Sequence, residues 1–371
     1  MSSNIVGFYR RYLMWIPPTL QYAVARRRSR HHSTSTVTVM MSSYEHDYVQ
    51  NLRRAVRGAA LVLPIRQRNQ FAAPFRFFRA DIFHLHFIDE LGFNLDETTA
   101  LIKELQAARI KIVWTGHDLT PHTKRHEQFN PIFSAWAAAA DGVIHHSYFG
   151  EELLRQRYDF APNAIHAVIS NRYRREHADL ALLDQRAAIE ADWGLSPTPI
   201  RIGLLGSPRV ERKMMDFLRG VTLSTSHSFQ VVCWSLRPEE EAPHDSRIAI
   251  AQSYEFANDE IHSRRLAICD LIALPFDPHG EMLTSGFVPE AFAMGLGILV
   301  SDWEFLKERS GDAAIACGHT PESVAACLDQ LTVAQVRAAK EASFRLRESQ
   351  DWESARQPIL EFYRRVIESR G

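Results

Sequence analysis

DLIALPFDPHGEMLTSGFVPEAFAMGLGILVSD, residues 270–302, decides the fold. Residues 270–275 form a short aliphatic run, the composition of a strand buried on both faces. A loop follows and closes on Thr284-Ser285-Gly286, where a helix is expected to begin; Pro289 is comfortable only in a first turn. A second apolar run at 297–301 ends in Ser301-Asp302. Strand, loop, helix, strand is the unit of a parallel sheet, and ligands of such sheets bind beyond the strands' carboxyl ends. The free N–H groups of the helix start point there, which makes an anion site. Glu290, one turn inside, is placed to accept hydrogen bonds from a ribose diol while the helix end holds a diphosphate. An ordinary Ser/Thr cap beside a surface Glu gives the same local pattern.

Working outward, the same alternation recurs. Strands are expected near 200–205, 229–234, 247–252, 270–275, 297–301 and 313–316, and in the first half near 35–42, 60–64, 81–87, 110–115, 142–146 and 164–169. Between the third and fourth of these, Asn94 and Glu97 stand at capping-box spacing. Thr98, Leu101, Ile102, Leu105 and Ala108 then keep one helical face apolar. The fold class is therefore α/β, with two doubly wound Rossmann-like domains facing a cleft, at 35–175 and 200–350. A change of character, with an Ala/Leu helix followed by Gly194, Ser196, Pro197 and Pro199, marks 176–199 as a linker. Near the end, Trp352, Ala355, Ile359, Phe362 and Val366 are spaced 3, 4, 3 and 4 apart, an amphipathic helix in need of a surface.

The length of 371 residues, with 46% hydrophobic and 23% charged, suits two cores and excludes a disordered chain or a small stapled module. Forty-three Lys and Arg against 44 Asp and Glu leave −1, so no whole-molecule field favours nucleic acid, and none is expected as a partner. Charge is nevertheless segregated. Residues 1–44 hold six Arg and no Asp or Glu, while the other 37 basic residues face all 44 acidic ones, −7. Residues 1–34 form a basic extension with Phe8, Tyr9, Tyr12 and Trp15 mixed in. An arm for an anionic membrane surface is one reading; a disordered tail, a mistaken start and a transit sequence are others. No apolar run approaches the ~18 residues that a membrane span needs. Cys233, Cys269, Cys317 and Cys327 lack paired metal spacing, and reduced thiols in a cytoplasmic protein are expected. The sequence has no GxGxxG after a strand, no GxxxxGK[ST], no HExxH and no GxSxG, which removes the main support for dehydrogenase, P-loop NTPase, zinc protease and α/β-hydrolase readings.

The 270–302 stretch resembles the nucleotide-sugar half of GT-B glycosyltransferases, in particular the family-four-like branch. There a TSG loop precedes a Glu-Ala-x-Ala-x-Gly helix and an apolar strand ending in Ser-Asp. Here these are Thr284-Ser285-Gly286, Glu290-Ala291-Phe292-Ala293-Met294-Gly295 and Ile298-Leu299-Val300-Ser301-Asp302. The resemblance implies that Ser285 and Gly286 contact a diphosphate and Glu290 a ribose. Many members carry a further Glu where this chain has Met282. Upstream, GLLGSPRVERKMMDFL, 203–218, is similar to the family's Gly-x-x-Arg-x-x-Lys, with Arg209 or Arg212 and Lys213 reaching the leaving diphosphate. With no Asp-x-Asp after a strand, the expected reaction is metal-independent, with no cofactor beyond the nucleotide-sugar co-substrate, whose base, uracil or guanine, stays open.

In the first half, IKIVWTGHDLTPH, 110–122, resembles the family's strand ending in Thr-x-His-Asp. That places His117 against a donor-sugar hydroxyl and makes Asp118 the first candidate base toward an acceptor if the reaction inverts. His84 and His86, two apart on one strand face, are expected on the acceptor side; Asp89 and Glu90 form the second pair of candidate bases. As metal ligands the two histidines lack a third partner at recognisable spacing. DWESARQPILEFYRRV, 351–366, is similar to the family's terminal helix, which returns to complete the first domain, so 351–371 is assigned there. The expectation is a hexosyltransferase acting on a hydroxyl acceptor, with a lipid-linked sugar as the candidate, in polysaccharide or glycolipid assembly at the inner face of a membrane. An epimerase or hydrolase of the same fold and a catalytically silent nucleotide-binding relative are the alternatives.

Overall fold

Short runs of aliphatic and β-branched residues, each followed by an amphipathic segment, form strands and crossover helices throughout the computed structural model of the chain. It describes residues 37–43, 45–65, 80–120, 126–174, 179–209, 211–255, 257–278 and 283–369. The basic extension 1–34 and Met282 lie outside the described residues. Two units emerge, Met1–Ser170 with Ala355–Gly371, and Asn171–Ser354.

In the first unit the chain runs β1 Val37–Met41, α1 Asp47–Ala55, β2 Ala60–Pro64, β3 Ile82–Leu85, α2 Leu95–Ala107, β4 Lys111–Gly116, α3 His126–Ala139, β5 Gly142–His145, α4 Tyr148–Arg157 and β6 Ile165–Val168. All pairings are parallel, in the order β2-β1-β3-β4-β5-β6. Helix α2 starts as its sequence requires. Asn94 Oδ1 accepts the Glu97 N–H at 2.9 Å and the Asn94 N–H donates to Glu97 Oε2 at 3.0 Å, a reciprocal cap worth about 1 kcal/mol.

The second unit runs α5 Ala181–Asp184, α6 Arg186–Asp192, β7 Ile200–Leu204, α7 Met214–Leu223, β8 Phe229–Leu236, β9 Ile248–Ser253, α8 Asp259–Ala267, β10 Leu271–Leu274, α9 Phe287–Met294, β11 Gly297–Val300, α10 Glu304–Ser310, β12 Ala314–Ala316, α11 Pro321–Gln330 and α12 Val333–Leu346. Its parallel sheet is ordered β12-β11-β10-β7-β8-β9, the Rossmann arrangement. Strand β10 is buried at every position, as its unbroken aliphatic run requires.

The helical stretch expected within a linker at 176–199 forms α5 and α6, and it belongs to the second unit rather than joining the two. Arg186 reaches Asp270 bidentately at 2.8 and 3.0 Å, and the same carboxylate accepts Lys340 Nζ at 2.9 Å and the Arg201 N–H at 2.9 Å. Burial would raise the Asp270 carboxyl, but Arg186 and Lys340 outweigh it and hold it below the usual range. The glycine and prolines after α6 mark only the turn into β7.

The last helix, α13 Arg356–Glu368, belongs to the first unit. Its Ile359, Phe362 and Val366 are buried, and a Cβ placed on Gly142 would lie 2.6 Å from Val366 and 2.8 Å from Phe362, so only a glycine at the start of β5 lets the helix seat. Trp352, the first residue of the expected stripe, precedes the helix and stays with the second unit, its N–H donating to the Tyr173 carbonyl at 3.1 Å. No helix among the described residues is long and apolar enough to cross a membrane.

Candidate functional site

The second sheet reverses its strand order between β7 and β10, because the chain leaves β7 toward β8 and β9 but leaves β10 toward β11 and β12. A crevice opens beyond the carboxyl ends at such a switch point. The two loops that border it are stitched together. The Lys213 N–H donates to the Pro275 carbonyl at 2.7 Å, the Asp277 N–H to the Glu211 carbonyl at 2.7 Å, and Arg212 bridges Phe276. Lys213, which caps α7, also holds Asp277 at 3.2 Å.

Arg212 lies under this crevice. Its Nη1 donates to the Leu205 carbonyl at 2.6 Å, and its guanidinium sits 5.0 Å from the ring centres of both Phe276 and Phe287. Burial first, and Arg209 second, push its pKa down to about 10. Its Nε has no hydrogen-bond partner among the described residues. Gly206 makes the arrangement fit: φ is +97°, and a Cβ there would stand 2.3 Å from Arg212 Nη1 and 2.5 Å from Phe287 Cε2. Of the two candidate arginines the structure thus brings Arg212 to the helix start, while Arg209 lies exposed on the loop.

At the start of α9, Gly286 is exposed and a Cβ added to it would meet nothing within 4 Å. Pro289 has no N–H, so the first-turn donors belong to Gly286, Phe287 and Val288. Ser285 is buried, and its hydroxyl accepts the Phe287 N–H at 3.3 Å as a local cap, which leaves its own O–H to donate. Thr284 Oγ1 is buried with no partner among the described residues. Glu290 is half-buried, and its Oε2 lies 3.0 Å from Nε2 of His262 on α8. His262 was not legible beforehand: it stands 28 residues away with no motif around it.

The first sheet has its switch point between β1 and β3. Here three buried imidazoles form a chain. His117, just past β4, has Nε2 3.3 Å from Nδ1 of His86 and Nδ1 3.1 Å from Nε2 of His146, which follows β5. Tyr48 packs edge-on to His117 at 4.6 Å, and Phe87 stacks on its face at 4.1 Å and 9°. Burial, reinforced by the neighbouring histidines, drives His86 and His117 well below the ordinary imidazole value, so both are neutral. Both ring nitrogens of His117 are therefore engaged within the protein, whereas Nε2 of His86 has no partner among the described residues. Phe87 stores strain at φ +36°, unusual for a bulky residue.

His84, expected on the acceptor side, is a core residue. Its Nδ1 meets the Tyr363 hydroxyl on α13 and its Nε2 the Thr115 hydroxyl, each at 2.7 Å, and burial lowers its pKa to about 3. It ties the last helix to the sheet. Asp118 follows His117 and is half-buried; Asp89 and Glu90 fall in a 3-10 turn, Ile88–Leu91, with Glu90 exposed. Tyr48 and His146 were missed, although a position just past a predicted strand was a usable signal for His146.

Among the described residues one group gathers metal-type ligands: atoms of His145, Glu151 and His166 lie within 4.8 Å of one another. The His145 and His166 nitrogens are 2.8 Å apart while the ring centres are 5.1 Å apart and the planes 7° apart. Only rings lying edge to edge in one plane combine those values. Each nitrogen then points at the other across one shared proton, rather than both converging on a third atom. Glu151 is engaged by Arg155 at 2.9 Å.

No protein-family model and no curated protein matches the chain. Solved structures do. The chain is similar to HepE of Anabaena in complex with UDP (TM-score 0.65, 12% identity, 88% of this chain and 99% of that one). It is also similar to a glycosyltransferase from Rickettsia africae (0.65, 11%, 90% and 99%). A third is an alpha,alpha-trehalose-phosphate synthase (UDP-forming) from Burkholderia vietnamiensis (0.59, 9%, 90% and 99%). These likenesses extend over both units and define the fold as GT-B, two Rossmann-like domains.

Proposed function

We propose that the chain is a glycosyltransferase that moves a hexose from a nucleotide diphosphate sugar to a hydroxyl acceptor, with the donor held by the second unit. One observation carries the reading: the β7 and β10 loops are stitched together through Glu211, Arg212 and Lys213, and the Arg212 guanidinium lies 5.0 Å from the ring of Phe287 in the first turn of α9, the turn that bears Glu290 and opens on the exposed Gly286. When the bond from the anomeric carbon to the diphosphate breaks, its electron pair stays on the diphosphate. Amide dipoles and two cations stabilise that charge, the work a divalent ion does elsewhere. Glu290 accepts from the ribose diol. The acceptor oxygen bonds the anomeric carbon and releases its proton to a base, for which Asp118 stands first and the Asp89–Glu90 pair second. The UDP bound by HepE and the UDP-forming synthase among the similar structures favour a uridine donor. A lipid-linked acceptor, in polysaccharide or glycolipid assembly, fits the arginine-rich extension.

The test is a thermal-shift series with UDP and GDP. A ligand that binds only the folded state at a hundred times its Kd adds about 2.7 kcal/mol. One of the two is expected to raise the Tm, and Glu290→Ala or Lys213→Ala to abolish the shift. Lys213→Ala has a double effect, since it also removes the ion pair with Asp277. A chain indifferent to both nucleotides would sink the reading.

A further inference from the structure

Glu290 has three rotatable bonds, and its side chain keeps 36% of its surface exposed, so nothing in α9 alone fixes where its carboxylate points. What fixes it comes from another element. His262 occupies the second turn of α8, a helix started by Asn258, whose Oδ1 accepts the Ile261 N–H at 2.9 Å. The ring presents its edge to Phe287 at 5.9 Å, and the Phe287 ring in turn meets the Arg212 guanidinium at 5.0 Å. His262 is thus wedged between α8 and the first turn of α9 with Nε2 directed at Glu290 Oε2, 3.0 Å away.

One carboxylate oxygen is committed by that bond, and the other, Oε1, has no hydrogen-bond partner among the described residues and remains for a ligand. We infer that His262 is a positioning residue for nucleotide recognition, orienting the Glu290 carboxylate so that its free oxygen meets the vicinal hydroxyls of a ribose; this rests on the donor-site reading above. The charged groups around the ring are Glu290 on α9, and Asp259 and Arg265 on α8, with Arg212 beyond Phe287. Burial would lower the imidazole, and the contact with Glu290 overcomes it and raises it. Neutral imidazole with its proton on Nε2 donates to Glu290 just as the cation does, so the role lies in hydrogen-bond geometry and does not need a charge.

The alternative is a staple between α8 and α9 with no say in ligand binding. Two polar variants separate them. The amide nitrogen of His262→Gln reaches about as far as imidazole Nε2, whereas that of His262→Asn reaches only to the Nδ1 position. Calorimetric affinities are measured for UDP and GDP and for their 2′-deoxy forms, on wild type and both variants. Wild type is expected to prefer the ribo form of its nucleotide by about tenfold, the worth of a hydrogen bond to a charged group. H262Q should keep most of that preference and H262N should lose it, while the deoxy nucleotide binds all three proteins alike. A preference unchanged in H262N, or equal weakening of both forms, would overturn the assignment. Wild type that binds none of the four nucleotides would overturn the donor site itself, a different failure.

Discussion

Two glycines at the second unit's switch point make opposite predictions. Gly206 has positive φ and no room for a Cβ, whereas Gly286 has ordinary φ and open space in front of it. Gly206→Ala adds backbone strain to a collision with Arg212 and Phe287, an expected loss of about 2–4 kcal/mol, visible as a lower Tm without ligand and no response to nucleotide. Gly286→Ala should leave the unliganded Tm nearly unchanged, because the Cβ meets no protein atom, yet weaken the nucleotide shift by occupying the space a diphosphate needs. Equal melting of both variants would contradict this. Residue-scale legibility follows the same division. Gly286, Glu290 and Lys213 belong to contiguous patterns and are legible as candidates. Ser285 was a candidate ligand contact through the family resemblance, and its hydroxyl also fills the local cap. The choice between Arg209 and Arg212 needed the Phe276–Phe287 sandwich, which only the folded chain assembles.

At the scale of elements, each strand run was visible because a buried parallel strand tolerates little but aliphatic residues, and α2 because its cap is written in Asn94 and Glu97. Helices α5 and α6 were legible as an Ala/Leu helical stretch but not as part of the second unit: their fixing contact, Arg186 to Asp270, spans 84 residues, and the nearby Gly and Pro mark the stretch as a linker. Histidines packed between elements were visible as residues but not as a network, and their pairing has a consequence for stability. His84, with its pKa at about 3, and His145, at about 2, are held neutral by burial, as are His86 and His117. The unfolded chain binds protons at these sites near pH 6.5 and the folded chain does not, so this stability is fully present above 6.5 and is lost as pH falls. Each such histidine contributes a slope of about 1.4 kcal/mol per pH unit below that value. His262, raised by Glu290, acts in the opposite sense, its contribution being present below 6.5 and lost as pH rises through its folded value. The first unit is therefore expected to melt steeply earlier as pH is lowered from 7 to 5, followed by near-ultraviolet dichroism of its tryptophans and tyrosines. A melting temperature constant over that range would mean that the imidazoles are solvated.

For the whole molecule, the distribution of charge says more than its sum. The chain is nearly neutral at −1, but residues 1–44 carry +6 against −7 for everything after them. An anionic surface repels the larger part and attracts the smaller, and near such a surface each arginine contributes about 1 kcal/mol, screened within a Debye length. Six of them, with Phe8, Tyr9, Tyr12 and Trp15 able to sit among headgroups, are enough for salt-sensitive adsorption in which only the extension touches lipid. That adsorption would bring the chain to the lipid-linked acceptor proposed above. Flotation on vesicles with and without anionic lipid should recover the full chain only on the anionic ones, and raised salt should release it. A chain starting at residue 35 should stay behind on both while keeping its nucleotide thermal shift, because the proposed donor contacts all come from the second unit. Equal flotation of the two chains would remove the extension from membrane attachment and leave the acceptor to be sought among soluble hydroxyl compounds.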